Sequence, residues 1–177
     1  MMAAVLVAAS LANAPTPFTV GAHLDVLQFA APGVSGGVSG RLGPLGLSLD
    51  FAHLTPRTGR LLLGDSYGAD VERLTFGLLA TARYFPFDGP LSPFLGVGLG
   101  AGLLQLRGRD GARVDATASL WRAEAGLQWS PFADADSWVR SLWLGASASV
   151  VFVGLADVPA AAPELAFHPS LMVGFWR

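Results

Sequence analysis

Cysteine is absent from the 177 residues, which excludes disulfides, thiolate metal sites, a cysteine nucleophile and a lipid-modified cysteine anchor. Lysine is absent as well; all eleven basic residues are arginine, and the net charge is −2. Such a chain has no clustered basic footprint for nucleic acid. Charge of either sign is scarce, at 14% of residues against about 25% in soluble domains. Too little charge is present to cover a water-facing surface. Long hydrophobic runs are missing too: nowhere do about 18 apolar residues follow one another without a charge or a helix breaker, so no membrane-spanning helix is visible. Yet 52% of residues are hydrophobic. High apolarity without a spanning helix leaves an α/β core buried on both sides or a lipid-facing β-barrel.

The opening "MMAAVLVAASLANAPTP" reads as the apolar core of a secretory signal followed by small residues. No arginine precedes the run, and Pro15 disfavours cleavage after Ala14 relative to Ala12. Residues 1–14 are therefore expected to be a signal peptide, with residues 15–177 forming one domain.

What fills that domain is alternation. Leu74, Phe76, Leu78, Ala80, Ala82 and Tyr84 fall on one face of a period-two segment, with Thr75, Gly77, Leu79, Thr81 and Arg83 on the other. Leu45, Leu47, Leu49 and Phe51 alternate with Gly46, Ser48 and Asp50, and Trp121 to Trp129 alternates with Arg122, Glu124, Gly126 and Gln128. Helical spacing nowhere competes over more than one turn, so the chain is all-β. A first count gives seven strands. The turn signal Gly43-Pro44 splits an overlong segment and makes eight, at 17–29, 33–42, 45–55, 70–86, 92–107, 113–130, 138–153 and 164–177. Short connections (43–44, 86–92, 131–137) then alternate with longer ones (56–70, 108–112, 154–164). That asymmetry belongs to barrels with short periplasmic turns and long extracellular loops.

The fold class this predicts is an eight-stranded antiparallel up-and-down transmembrane β-barrel. Phe18, Tyr84, Phe85, Phe94, Trp129, Phe132, Trp138, Phe175 and Trp176 fall near the inferred periplasmic ends, where an interfacial girdle is expected. Trp143 points inward by parity, and Arg140 shares the lipid face near that end, where it can snorkel. A lipocalin-like barrel or a sandwich shares the period, but its polar face must meet water. Here the second face is mostly Gly, Ala, Ser and Thr, which suits a crowded interior.

By the same parity the interior holds His23, Asp25, Arg41, Asp50, Arg73, Arg83, Arg122, Glu124 and His168. Buried charges must pair, and four arginines against three acids can form a near-neutral network. Eight strands enclose just enough room for their own side chains. A plugged interior is the leading expectation, and a narrow polar path or small ligand cavity the alternative.

The segments "GVSGRLGPLGLSLD", "RYFPFDGPLSPFLGVGLGAG" and "LMVGFWR" together resemble the small outer-membrane β-barrel families of Gram-negative bacteria, in particular the OmpA-type transmembrane domain and its relatives. The resemblance covers most of the chain after residue 16. It implies residence in the outer membrane, among lipid and lipopolysaccharide. It also implies insertion by the barrel assembly machinery, which reads alternating apolar residues and a terminal aromatic in the last strand. Leu171, Val173 and Phe175 fit that pattern; Trp176 and Arg177 extend past it.

Three motifs invite a catalytic reading. "GDSYG" (64–68) satisfies G-x-S-x-G, but the elbow needs a strand–turn–helix and no helix follows. His168 and Ser170, in "HPS", are similar to the H-x-S pair of PagL-type lipid A deacylases, and period two puts both on one face as a Ser–His pair requires. Pro169 between them removes a ladder donor, and Glu164 is the one nearby acid. Arg107, Arg109, Asp110 and Arg113 form a charged hairpin loop that suits lipopolysaccharide phosphate. In "SPFLGVGLGAGLLQLRG" (92–108), G-x-G-x-x-A occurs without a βαβ unit; as a strand it turns Gly96, Gly98, Gly100 and Gly102 inward and makes space.

Three functions stay open: a non-enzymatic barrel with binding loops, a lipid A-modifying hydrolase resting on His168 and Ser170, and an OmpW-like narrow channel. None calls for a cofactor or metal.

Overall fold

The computed structural model describes residues 18–27, 33–54, 70–107, 113–155 and 164–177. The expected signal peptide, the "GDSYG" motif and most of the charged 107–113 loop lie outside the described residues.

Alternating side chains build eight strands: β1 (Phe18–Asp25), β2 (Gly33–Leu42), β3 (Leu45–Leu54), β4 (Asp70–Tyr84), β5 (Leu91–Arg107), β6 (Arg113–Trp129), β7 (Leu142–Leu155) and β8 (Glu164–Trp176). Each pairs antiparallel with its neighbours in chain order, and β8 closes on β1. The β2–β3 connection is a two-residue hairpin in which Gly43 holds φ at 57°, a left-handed conformation that glycine adopts without a Cβ clash and that matches strand twist.

Two strand boundaries differ from the sequence expectation. β1 stops at Asp25 rather than residue 29, because the Asp25 carboxylate accepts a hydrogen bond from Leu27 N (3.1 Å) and turns the chain. β7 begins at Leu142 rather than 138, because Trp138–Ser141 forms a single 3-10 turn instead of extending the ladder. Register shifts near Ala52/Leu54, Val71/Arg73 and Leu74/Phe76 mark bulges at the far end of β3 and β4.

The stagger of the barrel follows from its register. Successive partners of Gly21 are Ser39, Ser48, Thr81, Gly98, Arg122, Val151 and finally Ala166 on β8. Gly21 itself pairs with Trp176, ten residues further along the same strand. Ten residues at about 3.3 Å, set against eight spacings of about 4.8 Å, tilt the strands by about 40°.

Polarity is inverted relative to a water-soluble fold. Leu47, Leu95 and Val97 stand 67%, 63% and 66% exposed on the outer face, while Arg83 and Glu124 are 8% and 5% exposed inside. The interior is layered. At the short-turn end, Phe85, Phe94, Trp143 and Met172 form a buried cluster against which Trp176 packs. Charged groups occupy the middle. Toward the long-loop end, Leu104, Ala116, Ala118 and Val153 are buried.

Three aromatics assigned to the outer girdle thus belong inside. Phe85, Phe94 and Trp176 share strand parity with Arg83, Ser92 and Gly174, and height alone misplaced them. Phe18, Tyr84, Trp129, Phe132, Trp138 and Phe175 are exposed at the short-turn end.

Candidate functional site

The barrel's middle layer is organised around two carboxylates from strands on opposite sides of the interior. Asp50 enters from β3. Its Oδ1 lies 3.2 Å from His23 Nε2 of β1, and its Oδ2 lies 3.2 Å from Arg122 NH1 of β6 and 3.9 Å from Arg83 NH2 of β4. Ser48 and Thr81 hydroxyls donate to the same Oδ2, each at 3.3 Å. Glu124 of β6 accepts from Arg83 Nε at 2.5 Å through Oε1 and meets Arg122 NH2 at 2.7 Å through Oε2. Both guanidiniums therefore bridge both acids. Two negative and two positive charges are brought together, with His23 as a fifth member.

Room for these groups comes from residues without side chains. A Cβ on Gly96 would stand 2.7 Å from Glu124 Oε1 and 2.8 Å from its Cγ. The glycine-rich strand β5 thus passes behind the carboxylate at a distance no other residue permits. Below this layer, Trp143 lies across Gly174, where a Cβ would come within 2.2 Å of the indole. Trp143 stacks on Trp176 (ring centroids 5.9 Å) and tilts against His23 (5.8 Å), joining the aromatic cluster to the charged layer.

The other interior residues expected from sequence distribute differently. Asp25 stands apart from the Asp50–Glu124 pair, accepting from the Ser170 hydroxyl (2.7 Å) and from the Leu27 and Leu171 amides. It fastens the end of the β1–β8 seam, where only five register pairs hold the strands. Arg41 sits at the short-turn end and does not reach the middle layer. It pairs with Asp88, donates from Nε to Gly43 O (2.9 Å) and lies 4.3 Å over the Phe85 ring. Arg73 occupies β4 opposite Gln105 in the ladder; its side chain lies outside the described residues. His168 is half-buried on the inner face of β8, with its carbonyl accepting from Ser149 Oγ at 3.1 Å.

Sequence reasoning missed Asp88, Ser48, Thr81 and Ser149 as partners. Parity placed the last three inside, but uncharged hydroxyls carried no pairing signal. Asp88 lies in a turn, where parity has no meaning.

Chemically, each carboxylate of the pair is held by two guanidiniums. Neither is poised as a base or nucleophile. Ser170 directs its hydroxyl to a carboxylate inside the barrel and is 4% exposed. Among the described residues no group of three or more His, Asp or Glu is arranged to hold a metal ion.

A closed eight-stranded up-and-down barrel with an apolar outside and a charged inside is the architecture of the small outer-membrane barrels. The chain is similar in structure to neisserial surface protein A, NspA: 18% identity, TM-score 0.51, covering 90% of this chain and 95% of that one. It is similar also to the N-terminal β-barrel domain of Pseudomonas aeruginosa OprF: 18% identity, TM-score 0.53, covering 90% and 96%. No family model matches the chain, and no curated protein matches it in sequence. The likeness is one of fold.

Proposed function

We propose that this chain is an integral outer-membrane protein of the OmpA type, a non-enzymatic barrel whose interior is closed by its own side chains and whose long loops carry any binding. The observation that carries this reading is the inverted polarity. Leucines and valines stand outside while arginine–carboxylate pairs are buried.

Aromatic spacing supports a bilayer setting. Phe76 and Tyr84 on β4, and Trp121 and Trp129 on β6, are exposed pairs eight residues apart. Eight residues at about 3.3 Å, tilted by about 40°, span about 20 Å. With the rings themselves added, that matches the apolar band of about 25 Å flanked by girdles in outer-membrane barrels.

Cell fractionation with a heat-modifiability gel tests the class. The expected product fractionates with outer membranes and migrates faster unheated than boiled. A soluble, heat-insensitive product overturns it. Brominated-lipid quenching of Trp121 and Trp129 fluorescence provides a second readout, with Trp143 the indole expected to be shielded. Insertion by the barrel assembly machinery and contact with lipopolysaccharide belong to the same proposal.

Layering favours closure over an OmpW-like channel. The charged layer is bounded by Phe85, Phe94, Trp143 and Met172 on one side and by Leu104, Ala116, Ala118 and Val153 on the other. Planar-bilayer recordings are expected to show no stepwise conductance, and regular single-channel steps would refute the closure. The lipid A hydrolase reading is disfavoured because the Ser170 hydroxyl faces the interior and is spent on Asp25.

A further inference from the structure

A shallow, open apolar groove runs across the outer face of the closing seam. Its lower ridge passes from Leu142 and Phe175 through Ala22 to Val38 and Leu49, which are consecutive register partners on β7, β8, β1, β2 and β3. Its upper ridge is Val173, Leu24, Phe51 and Leu78, two residues further along β8, β1 and β3 and onto β4. Between the ridges lies the main chain of Gly174, His23 and Gly37. The groove therefore follows the hydrogen-bond direction, perpendicular to the strands.

That direction fixes its slope. Five inter-strand steps of about 4.8 Å make a length of about 24 Å. With strands tilted by about 40°, the groove rises about 15 Å along the barrel axis. A hydrocarbon core of about 30 Å holds two leaflets, so about 15 Å is the depth one acyl chain covers.

The low end of the groove carries charge. Its lip is Leu142 with Phe175, and Arg140 and Arg177 stand two residues outside them toward the short-turn end, both exposed. Arg140 lies in the 3-10 turn that leads into β7, and Arg177 follows β8 and exchanges main-chain hydrogen bonds with Val20, so the two flank the lip from the two segments that meet there. Asp134 and Asp136 stand on the preceding turn, yet neither guanidinium is engaged by a carboxylate among the described residues. Two exposed guanidiniums flanking the low end of an apolar groove one leaflet deep are complementary to a phosphate ester carrying an acyl chain.

We propose that this groove binds a glycerophospholipid of the short-turn-side leaflet, with its phosphate on Arg140 and Arg177 and one acyl chain lying across the β8–β1 seam. The proposal rests on the membrane reading above. Because the chain bridges the shortest ladder of the barrel, with five register pairs against seventeen between β5 and β6, the bound lipid closes the seam from outside.

The test is native mass spectrometry of the full chain folded in detergent, titrated with dipalmitoyl phosphatidylglycerol. Two variants accompany the parent: Arg140→Ala/Arg177→Ala, and Ala22→Phe, which fills the groove from its exposed face. Heat-modifiability is confirmed first for each; a parent that does not fold in detergent removes the membrane reading, a failure distinct from that of the lipid site. Given folding, the parent is expected to retain one lipid, and both variants to lower its occupancy at least fivefold. Glycerol 1-phosphate, which lacks the chain, is expected not to compete at equal concentration. Unchanged occupancy in either variant overturns the proposal. So does a dimer peak that the same substitutions abolish, which would assign the groove to a second copy, and so does preference for lipid A over phosphatidylglycerol.

Discussion

Replacing Glu124 by glutamine changes one oxygen to an NH2 group and nothing in volume, so its effect isolates charge. In the native barrel Oε1 accepts from Arg83 Nε and Oε2 meets Arg122 NH2. The amide can still accept from one guanidinium, but its NH2 faces the other donor to donor. With the amide oxygen kept on Arg83 Nε, the Oε2–Arg122 ion pair is replaced by a donor facing a donor. Asp50 is then left to balance two guanidiniums, whose side chains are 8% and 11% exposed. Water cannot screen the excess at that burial, and breaking one partner out of a buried pair costs about 3–5 kcal/mol in total. The assay is equilibrium urea unfolding of the full chain in vesicles, parent against variant. A companion variant, Arg83→Met/Glu124→Leu, removes one charge of each sign and leaves Arg122 with Asp50. It is expected to be less damaged than Arg83→Met alone, because the stranded charge has gone. A loss below about 1 kcal/mol for Glu124→Gln, or strict additivity in the double variant, would show that the charged layer is hydrated and screened, and the reasoning would fail.

Three further outcomes follow from the same geometry. Val97→Arg, on the outer face near mid-barrel, is expected to cost about 2–4 kcal/mol in vesicles; a neutral result in the same titration would mean that this face meets water. Gly174→Ala places a methyl 2.2 Å from Trp143 Cε2 and is expected to cost about 1–3 kcal/mol by overpacking. Trp143→Ala in the same chain is expected to relieve that overpacking, and a lack of coupling between the two would contradict the stacked arrangement. Ser170→Ala removes the 2.7 Å bond to Asp25 and is expected to lower stability by about 1–3 kcal/mol while leaving the lipid A acylation pattern of expressing cells unchanged. Loss of an acyl chain in the parent that Ser170→Ala abolishes would restore the hydrolase reading.

The faces of the strands were legible because period two is a local property: Leu95, Val97 and Leu99 are exposed and Gly96 and Gly98 are buried as alternation requires. The partners were not legible, because they depend on the stagger. Asp50 stands in register with Gly37 and Leu79, neither of which it pairs with chemically. It meets Arg122 only because a stagger of ten residues brings β6 to the right height across the interior. A two-residue slip in any register between β3 and β6 would keep every face and change these ion pairs. Arg41 shows the limit: parity placed it among the interior charges, but its height is that of the β2–β3 turn, where Asp88 is the acid in reach. The inward aromatics fail for the complementary reason. Phe85, Phe94 and Trp176 stand at girdle height, but their parity places them on the inner face with Arg83, Ser92 and Gly174.

The glycine-rich stretch 92–108 ties these levels together. Its inward positions contribute no side chains at Gly96, Gly98 and Gly100, so the inward side chains of the neighbouring strands β4 and β6 gain room that an evenly filled eight-stranded barrel would not allow. Glu124 leans into the space beside Gly96, and a Cβ on Gly98 would meet Thr81 Oγ1 at 2.7 Å. Those two groups are a carboxylate of the charged layer and a hydroxyl that donates to the other carboxylate. A bulkier β5 would push Glu124 off Arg83 and leave an uncompensated guanidinium in a low-dielectric interior, at a cost near that worked above for Glu124→Gln. The glycines and the ion pairs are therefore one feature: a spacing that resembles a nucleotide loop in sequence is, in the barrel, the clearance that lets buried charges find each other.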